Sequence, residues 1–174
     1  MIQGRIKKLA EGLSAGQAAD AFVRASADPA RASDGDRSKA AEFEATVEAM
    51  FLMAAVDGDL GEDELAQLAA SVDAFGSIDA SATKRVDTTK LLGLLNEKLA
   101  ADGWNKRLAA VAARLGDREA RAFAYRLAAG VAFVDDHVAH AEAAALEAFA
   151  GAFGLDADET QEILYDVRET LFSK

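Results

Sequence analysis

Apolar residues recur at intervals of three and four positions along this chain, which places them on one face of an α-helix. The set Phe43, Val47, Met50 and Ala54 predicts a helix that runs to about Val56. Sets with the same spacing predict six further helices, through Leu65, Leu68, Val72 and Phe75; Leu91, Leu95 and Leu99; Trp104, Leu108, Val111 and Leu115; Phe123, Leu127, Val131 and Val134; Leu146, Phe149 and Phe153; and Ile163, Val167 and Leu171. Alternating apolar and polar runs typical of strands are missing. The pattern therefore predicts an all-α protein.

Residues that favour helix ends support these assignments. Glycine tolerates the left-handed backbone conformation that closes many helices, and Gly76, Gly116 and Gly154 each follow a predicted helix. Asp156 precedes Glu159 by three residues, which is the spacing of an N-terminal capping box. The last helix is therefore expected to begin just after Asp156.

One segment of the chain occurs twice, and Val56 in the first copy corresponds to Val134 in the second. The first copy reads Val56-Asp57-Gly58-Asp59-Leu60, then Glu64 and Leu68, and the second reads Val134-Asp135-Asp136-His137-Val138, then Glu142 and Leu146. A repeat with so long a period is typical of paired helix hairpins rather than of a short solenoid unit. We therefore expect a helical bundle of two pseudo-symmetric hairpins joined by middle helices, with about seven to nine helices.

The N-terminal region differs from the rest in composition. Residues 1–13 place Ile2, Ile6, Leu9 and Leu13 at helical spacing, and Ser26 to Ser38 is rich in Ala, Ser, Asp, Arg and Gly, as linkers are. We expect an amphipathic helix and linker over 1–38 and the helical domain over 39–174. The short helix either packs on the domain, forms a loosely held terminus or touches an anionic membrane, the last being the least favoured.

Charge and cysteine content narrow the possible functions. The net charge of -11 disfavours nucleic acid as a partner, because phosphates would be repelled. The chain has no cysteine, which fits a reducing compartment and excludes disulfides and thiolate zinc sites. No signal peptide and no membrane span are indicated, so we expect a soluble, cytoplasmic protein.

The repeated turns carry the candidate chemistry, although neither forms a calcium loop of the EF-hand type. Placing Gly58 at the glycine position of such a loop puts Met53 and Ala55 where oxygen ligands are needed. In the second copy Asp136 replaces the glycine, and Val131 and Phe133 occupy the ligand positions. An EF-hand is therefore excluded.

A single site shared by both turns is still possible if the two hairpins bring the turns together. Carboxylates held close to one another repel and favour a hard cation, so calcium or magnesium would be the natural ligand. The candidate metal ligands are Asp57, Asp59, Glu64, Asp135, Asp136 and Glu142.

Two other interpretations of these residues remain open. Glu64 and Glu142 fall where the third residue of a new helix would be, so they can act as helix caps without binding any metal. His137 and His140 could hold zinc or nickel together with the neighbouring carboxylates, which is a weaker signal than the calcium or magnesium pattern. The structural interpretation as caps is the favoured one, and a capping carboxylate can also be a ligand.

Catalytic motifs are missing from the sequence. There is no glycine-rich phosphate loop, no Gly-x-Ser-x-Gly elbow and no His-Glu-x-x-His helix. The chain is therefore not expected to be an enzyme, and no organic cofactor is expected.

The two acidic segments, with Phe153-Gly154-Leu155 after the second, resemble the TerB-like tellurite-resistance family, which includes the N-terminal region of certain membrane-anchored J-domain co-chaperones. The resemblance spans about residues 39–159. It implies an all-helical domain, an acidic metal-binding centre carried by Asp57, Glu64, Asp135 and Glu142, and a role in stress response. The expected function is to bind a divalent cation, a protein partner or both. The alternative is an interaction scaffold that binds no metal.

Overall fold

The computed structural model describes residues 34–56, 66, 68, 88–116, 118–133 and 140–172. Within these ranges the chain forms six helices and no strand. The helices are α1 (Asp34–Ala54), α2 (Thr88–Asp102), α3 (Trp104–Arg114), α4 (Arg118–Ala132), α5 (His140–Phe153) and α6 (Ala157–Phe172). The all-α prediction is confirmed for this part of the chain. None of the described helices is long and apolar enough to cross a membrane.

Helix α1 is the centre of the described core. The apolar spacing predicts one buried face, yet every side chain from Ala45 to Met53 is buried. A helix buried on all sides must be surrounded by other helices, and α1 packs against α4, α3 and α2, most extensively against α4. The run Met50-Phe51-Leu52-Met53 therefore fills the core all around the helix and not along one stripe.

Helix α1 also begins earlier than expected. The composition of Ser26 to Ser38 indicates a linker, but the helix already starts at Asp34. Aspartate, like serine and asparagine, is favoured at helix starts as well as in linkers, so composition alone separates the two poorly. The predicted helix over residues 1–13 and most of the one through Leu65 and Phe75 lie outside the described ranges. Of the latter, Ala66 and Leu68 are described and are helical.

Helices α2 and α3 are joined by a single residue, Gly103, which has a φ of 86°. Its N–H donates to the carbonyl of Leu99 at 2.9 Å, and its own carbonyl accepts from Arg107 at 3.1 Å. Glycine adopts this left-handed conformation without steric cost, so it can end one helix and start the next.

Glycine also ends α5 at its junction with α6. Gly154 has a φ of 68°, its N–H donates to Gly151, and the N–H of Leu155 donates to the carbonyl of Ala150 at 3.0 Å. These two bonds form a Schellman motif, as the glycine position predicts. Immediately afterwards the N–H of Glu159 donates to Oδ1 of Asp156 at 2.9 Å, and the predicted N-terminal cap of the last helix is confirmed.

Aromatic side chains connect α3 with α1 and with α5. Trp104 donates its indole N–H to the carbonyl of Leu52 at 2.8 Å, near the C-terminal end of α1. Its ring packs edge-on against Phe149 at 5.7 Å, and Phe149 packs against Phe153 at 5.6 Å. Edge-on aromatic pairs add to the stability that burial alone provides.

Candidate functional site

The described residues include one of the six candidate carboxylates, Glu142. It is the third residue of α5 and is half-buried, which is the helix position that a capping glutamate takes. The other five, Asp57, Asp59, Glu64, Asp135 and Asp136, fall outside the described ranges, as does His137. His140 opens α5.

The helix ends that lead into the two acidic segments are described, and they match. Helix α1 ends at Ala54 and α4 ends at Ala132, and these two residues are counterparts in the repeat. In the first copy the N–H of Ala55 donates to the carbonyl of Phe51 at 2.9 Å, and in the second Phe133 donates to Ala129 at the same distance. The acidic segments therefore follow helix ends with the same hydrogen bonding.

The helical positions after the acidic segments match as well. Ala66 and its counterpart Ala144 are both helical and exposed, whereas Leu68 and its counterpart Leu146 are both helical and buried. The two described positions after the first turn thus have the same burial as their counterparts after the second turn. A repeat seen in sequence is in this respect also a repeat of local structure.

Helices α1 and α4, which lead into the two acidic segments, pack directly against each other. Both helices carry buried alanines, including Ala45 and Ala49 on α1 and Ala124 and Ala128 on α4. Small side chains allow two helix backbones to approach closely. In the part of the chain that the structure describes, no three Asp, Glu or His side chains gather as they would around a metal ion.

A second group of charges lies inside the described core and was not predicted from the sequence. Glu48 is fully buried on α1. Its Oε2 accepts from Nε of Arg107 at 2.7 Å, and its Oε1 accepts from Nη2 of Arg107 at 2.8 Å and from Nη2 of Arg114. This is a two-pronged arginine–carboxylate pair, the geometry that makes such pairs strong and directional.

The surrounding groups complete what we call the Glu48 cluster, which consists of Glu44, Glu48, Asp102, Arg107 and Arg114. Arg107 also donates to Asp102 at 3.1 Å, and Arg114 donates to the carbonyl of Ala110 at 3.2 Å and lies 3.6 Å from Glu44. The hydrogen bond to Glu48 raises the pKa of Arg107 above its usual range, although burial acts in the opposite direction. The Arg107 guanidinium is therefore held charged.

The charged groups of the Glu48 cluster form hydrogen bonds and ion pairs with one another. Among the described residues, no buried side-chain nitrogen or oxygen lacks a hydrogen-bond partner. Desolvation of buried charges offsets much of the attraction between them, whereas removal of one partner leaves a buried charge unpaired. The role of the Glu48 cluster is to hold α1 and α3 together. A sequence signal existed, since Glu44 and Glu48 are four apart and Arg107 and Arg114 seven apart, both of which are same-face spacings.

Arg121 has a comparable role at the joint between α3, α4 and α5. Its guanidinium donates to the carbonyl of Leu115 at 2.8 Å, of Ala112 at 3.2 Å and of Phe153 at 3.3 Å. Carbonyls at helix C-termini have no partner within the helix, and a cation is favoured there by the helix dipole. Arg121 therefore caps the C-terminal ends of both α3 and α5.

One further buried titratable group is Tyr125 on α4, whose side chain is almost completely buried. Burial raises the pKa of its phenol to about 12, because the charged phenolate would be poorly solvated there. The phenol is therefore neutral at physiological pH and acts as a packing group.

No family model, no curated protein and no solved structure matches this chain.

Proposed function

We propose that this chain is a TerB-like helical module that binds a divalent cation through its two acidic turns and presents the same face to a protein partner. The observation that carries the proposal is the recurrence of aspartate and glutamate in both copies of the repeat, after helices that end at counterpart residues. The proposed ligands are Asp57, Asp59, Glu64, Asp135, Asp136 and Glu142. We place the module in the cytoplasm, in a stress-response system of the tellurite-resistance type.

The proposal includes an approximate two-fold arrangement of two hairpins. It is supported by the direct packing of α1 on α4 and by the matched burial of Leu68 and Leu146. Two equivalent helices that pack against each other around a two-fold axis lead their following turns to equivalent positions. With the turns side by side, six carboxylates would provide the oxygen donors that calcium or magnesium requires.

Calcium and magnesium are the favoured ions because the donor set consists of carboxylates alone. Hard cations prefer oxygen ligands, whereas zinc prefers nitrogen and sulfur donors and the chain has no cysteine. Zinc would need His137 or His140 and is therefore the less favoured ion.

Titration calorimetry and thermal unfolding with calcium, magnesium, zinc and manganese test the cation half of the proposal. We expect heat of binding and a raised Tm with at least one hard cation, because an ion that binds only the folded state stabilises it by mass action. The variant Asp57→Asn/Asp135→Asn should abolish both effects. If no ion gives either signal with the native sequence, the cation half is wrong.

Glu142 offers a finer test with a control on its own helix. Glu142→Gln should weaken cation binding by about tenfold, since it removes one charged ligand. Glu147, an exposed residue of α5, provides the matched control, and Glu147→Gln should leave the affinity unchanged. If Glu142→Gln lowers thermal stability without changing the affinity, Glu142 serves only as a helix cap.

The second candidate function is an interaction scaffold whose acidic residues cap helices and bind no metal. The place of Glu142 as the third residue of α5 favours it, because this is where a capping glutamate belongs. An acidic face would bind a basic or helical partner. Partner capture that survives a chelator but is lost at high salt would support the scaffold, whereas loss with chelator would support the cation-dependent module.

A further inference from the structure

Helix α6 is attached to the described core differently from the others. Among the described helices its one substantial neighbour is α4, whereas α1 packs on three helices. Of its described side chains Val167 alone is fully buried, and Ile163 and Leu164 are partly buried. The described side chains of α6, up to Thr170, therefore bury a narrow apolar strip.

Ion pairs connect α6 to α4 at two points along its length. Near the start of α6, Nε of Arg118 donates to Oε2 of Glu159 at 2.9 Å, and Arg118 also lies 3.8 Å from Asp156. Two turns further along, Arg126 of α4 pairs with Asp166. The helical spacing of these residues places one row of α4 side chains beneath one row of α6 side chains.

Two alanines lie on the face of α4 that carries Arg118 and Arg126. Ala122 and Ala129 share the face of Arg118 and Arg126, at spacings of three and four residues. Alanine offers little apolar area to bury compared with leucine or phenylalanine. At the far end, the guanidinium of Arg168 lies 6.0 Å from the centre of the Phe133 ring, a cation–π contact with the residue that follows α4.

We infer that α6 is a strap that opens locally and is released by salt while the rest of the helical core stays folded. Ion pairs in contact with water weaken as ionic strength rises, and each of these pairs has one well-exposed partner, since Arg118 is 67% and Asp166 59% exposed, whereas Glu159 is 25% and Arg126 20% exposed. A helix with few apolar contacts, as α6 has within the described residues, belongs to the less stable part of a fold. The inference goes beyond the proposed function and is independent of it.

Hydrogen exchange measured by mass spectrometry on the full chain tests the strap. Backbone amides of α6 should exchange at least about tenfold faster than those of α1 and α4. Raising NaCl from about 0.05 M to about 0.5 M should accelerate α6 about fivefold and leave α1 unchanged. Exchange of α6 at the same rate as α1, at either salt concentration, would overturn the inference.

A charge-swap cycle ties the opening to the ion pair. Arg126→Glu should accelerate exchange of α6 because it sets two like charges against each other, and Arg126→Glu/Asp166→Arg should restore the slow exchange by rebuilding the pair in reverse. Lys98→Glu is the matched control, since it breaks an exposed pair with Glu44 that is distant from α6. If the swap does not restore protection, or if the control accelerates α6 equally, the ion pairs do not hold the strap.

Discussion

Glu48 on α1 and Arg126 on α4 occupy the same position in the two copies of the repeat and differ in almost every physical respect. Glu48 is fully buried and faces two arginines of α3, whereas Arg126 is partly exposed and faces Asp166 of α6. The sign of the charge is reversed, yet each residue pairs with a helix that follows in the chain. Both copies therefore fasten a neighbouring helix by an ion pair at this position.

The difference between the two positions lies in desolvation. An ion pair without contact with water depends on every partner, because removing one leaves a buried charge unsatisfied. An ion pair in contact with water loses little when one partner is removed, because water replaces it. We therefore expect the ion pairs of Glu48 to persist as long as the protein is folded and the Arg126–Asp166 pair to break and re-form.

Removal of the Glu48 charge should have the largest effect. Glu48→Gln leaves Arg107 and Arg114 without a buried anion, and we expect it to lower the free energy of unfolding by about 3–5 kcal/mol. Glu44→Gln, at the more exposed edge of the cluster, should cost less than about 1 kcal/mol. Urea unfolding of both variants measures the difference, and equal small losses would mean that the Glu48 cluster does not hold α1 and α3 together.

A second contrast concerns Tyr125, whose counterpart in the first copy is Val47. The pKa of Tyr125 is raised to about 12 from an ordinary value near 10. The unfolded chain therefore loses this proton at lower pH than the folded chain does. The protonated Tyr125 phenol therefore contributes to the free energy of unfolding below about pH 10, and this contribution is lost as pH rises through about 12.

Tyr125→Phe removes this pH dependence because phenylalanine does not titrate. Between about pH 10 and pH 12 the native chain should lose roughly 2 kcal/mol more than the variant does. Urea unfolding at a series of pH values compares the two slopes. Parallel curves would show that the phenol is not buried in the folded state.

The smallest effect is expected at the exposed pair. Asp166→Asn should lower the free energy of unfolding by about 0.2–1 kcal/mol at low salt and by nothing measurable at high salt. Urea unfolding at two ionic strengths checks both values. If the loss of free energy of unfolding is as large as that of Glu48→Gln, or does not depend on salt, the Arg126–Asp166 pair does not behave as an exposed ion pair.

Several elements could be predicted from the sequence because their causes are local. Gly154 closes α5 in the left-handed conformation, and Asp156 with Glu159 caps α6, since both motifs depend only on residues within one turn. The matched ends of α1 and α4 follow from the repeat itself. The placement of Glu142 as the third residue of α5 was predicted for the same reason.

The Glu48 cluster could not be predicted in the same way. Glu48 is the one charged residue in the largely apolar run from Ala45 to Met53, and a glutamate in a helix is usually solvent-facing. Its partners Arg107 and Arg114 lie 59 and 66 residues away in sequence. Their spacing indicates only that α1 carries two glutamates on one face and α3 two arginines on one face.

The sequence by itself determined the helical class, the repeat and the local signals that start and end helices, because backbone preference, side-chain spacing and capping act over a few residues. Only the tertiary structure decided that α1 is buried on all sides from Ala45 to Met53 and that Glu48 is enclosed by two arginines while Arg126 faces an exposed aspartate. The physical reason is that desolvation depends on which helices surround a residue. Two positions with the same place in a repeat can therefore have different energies.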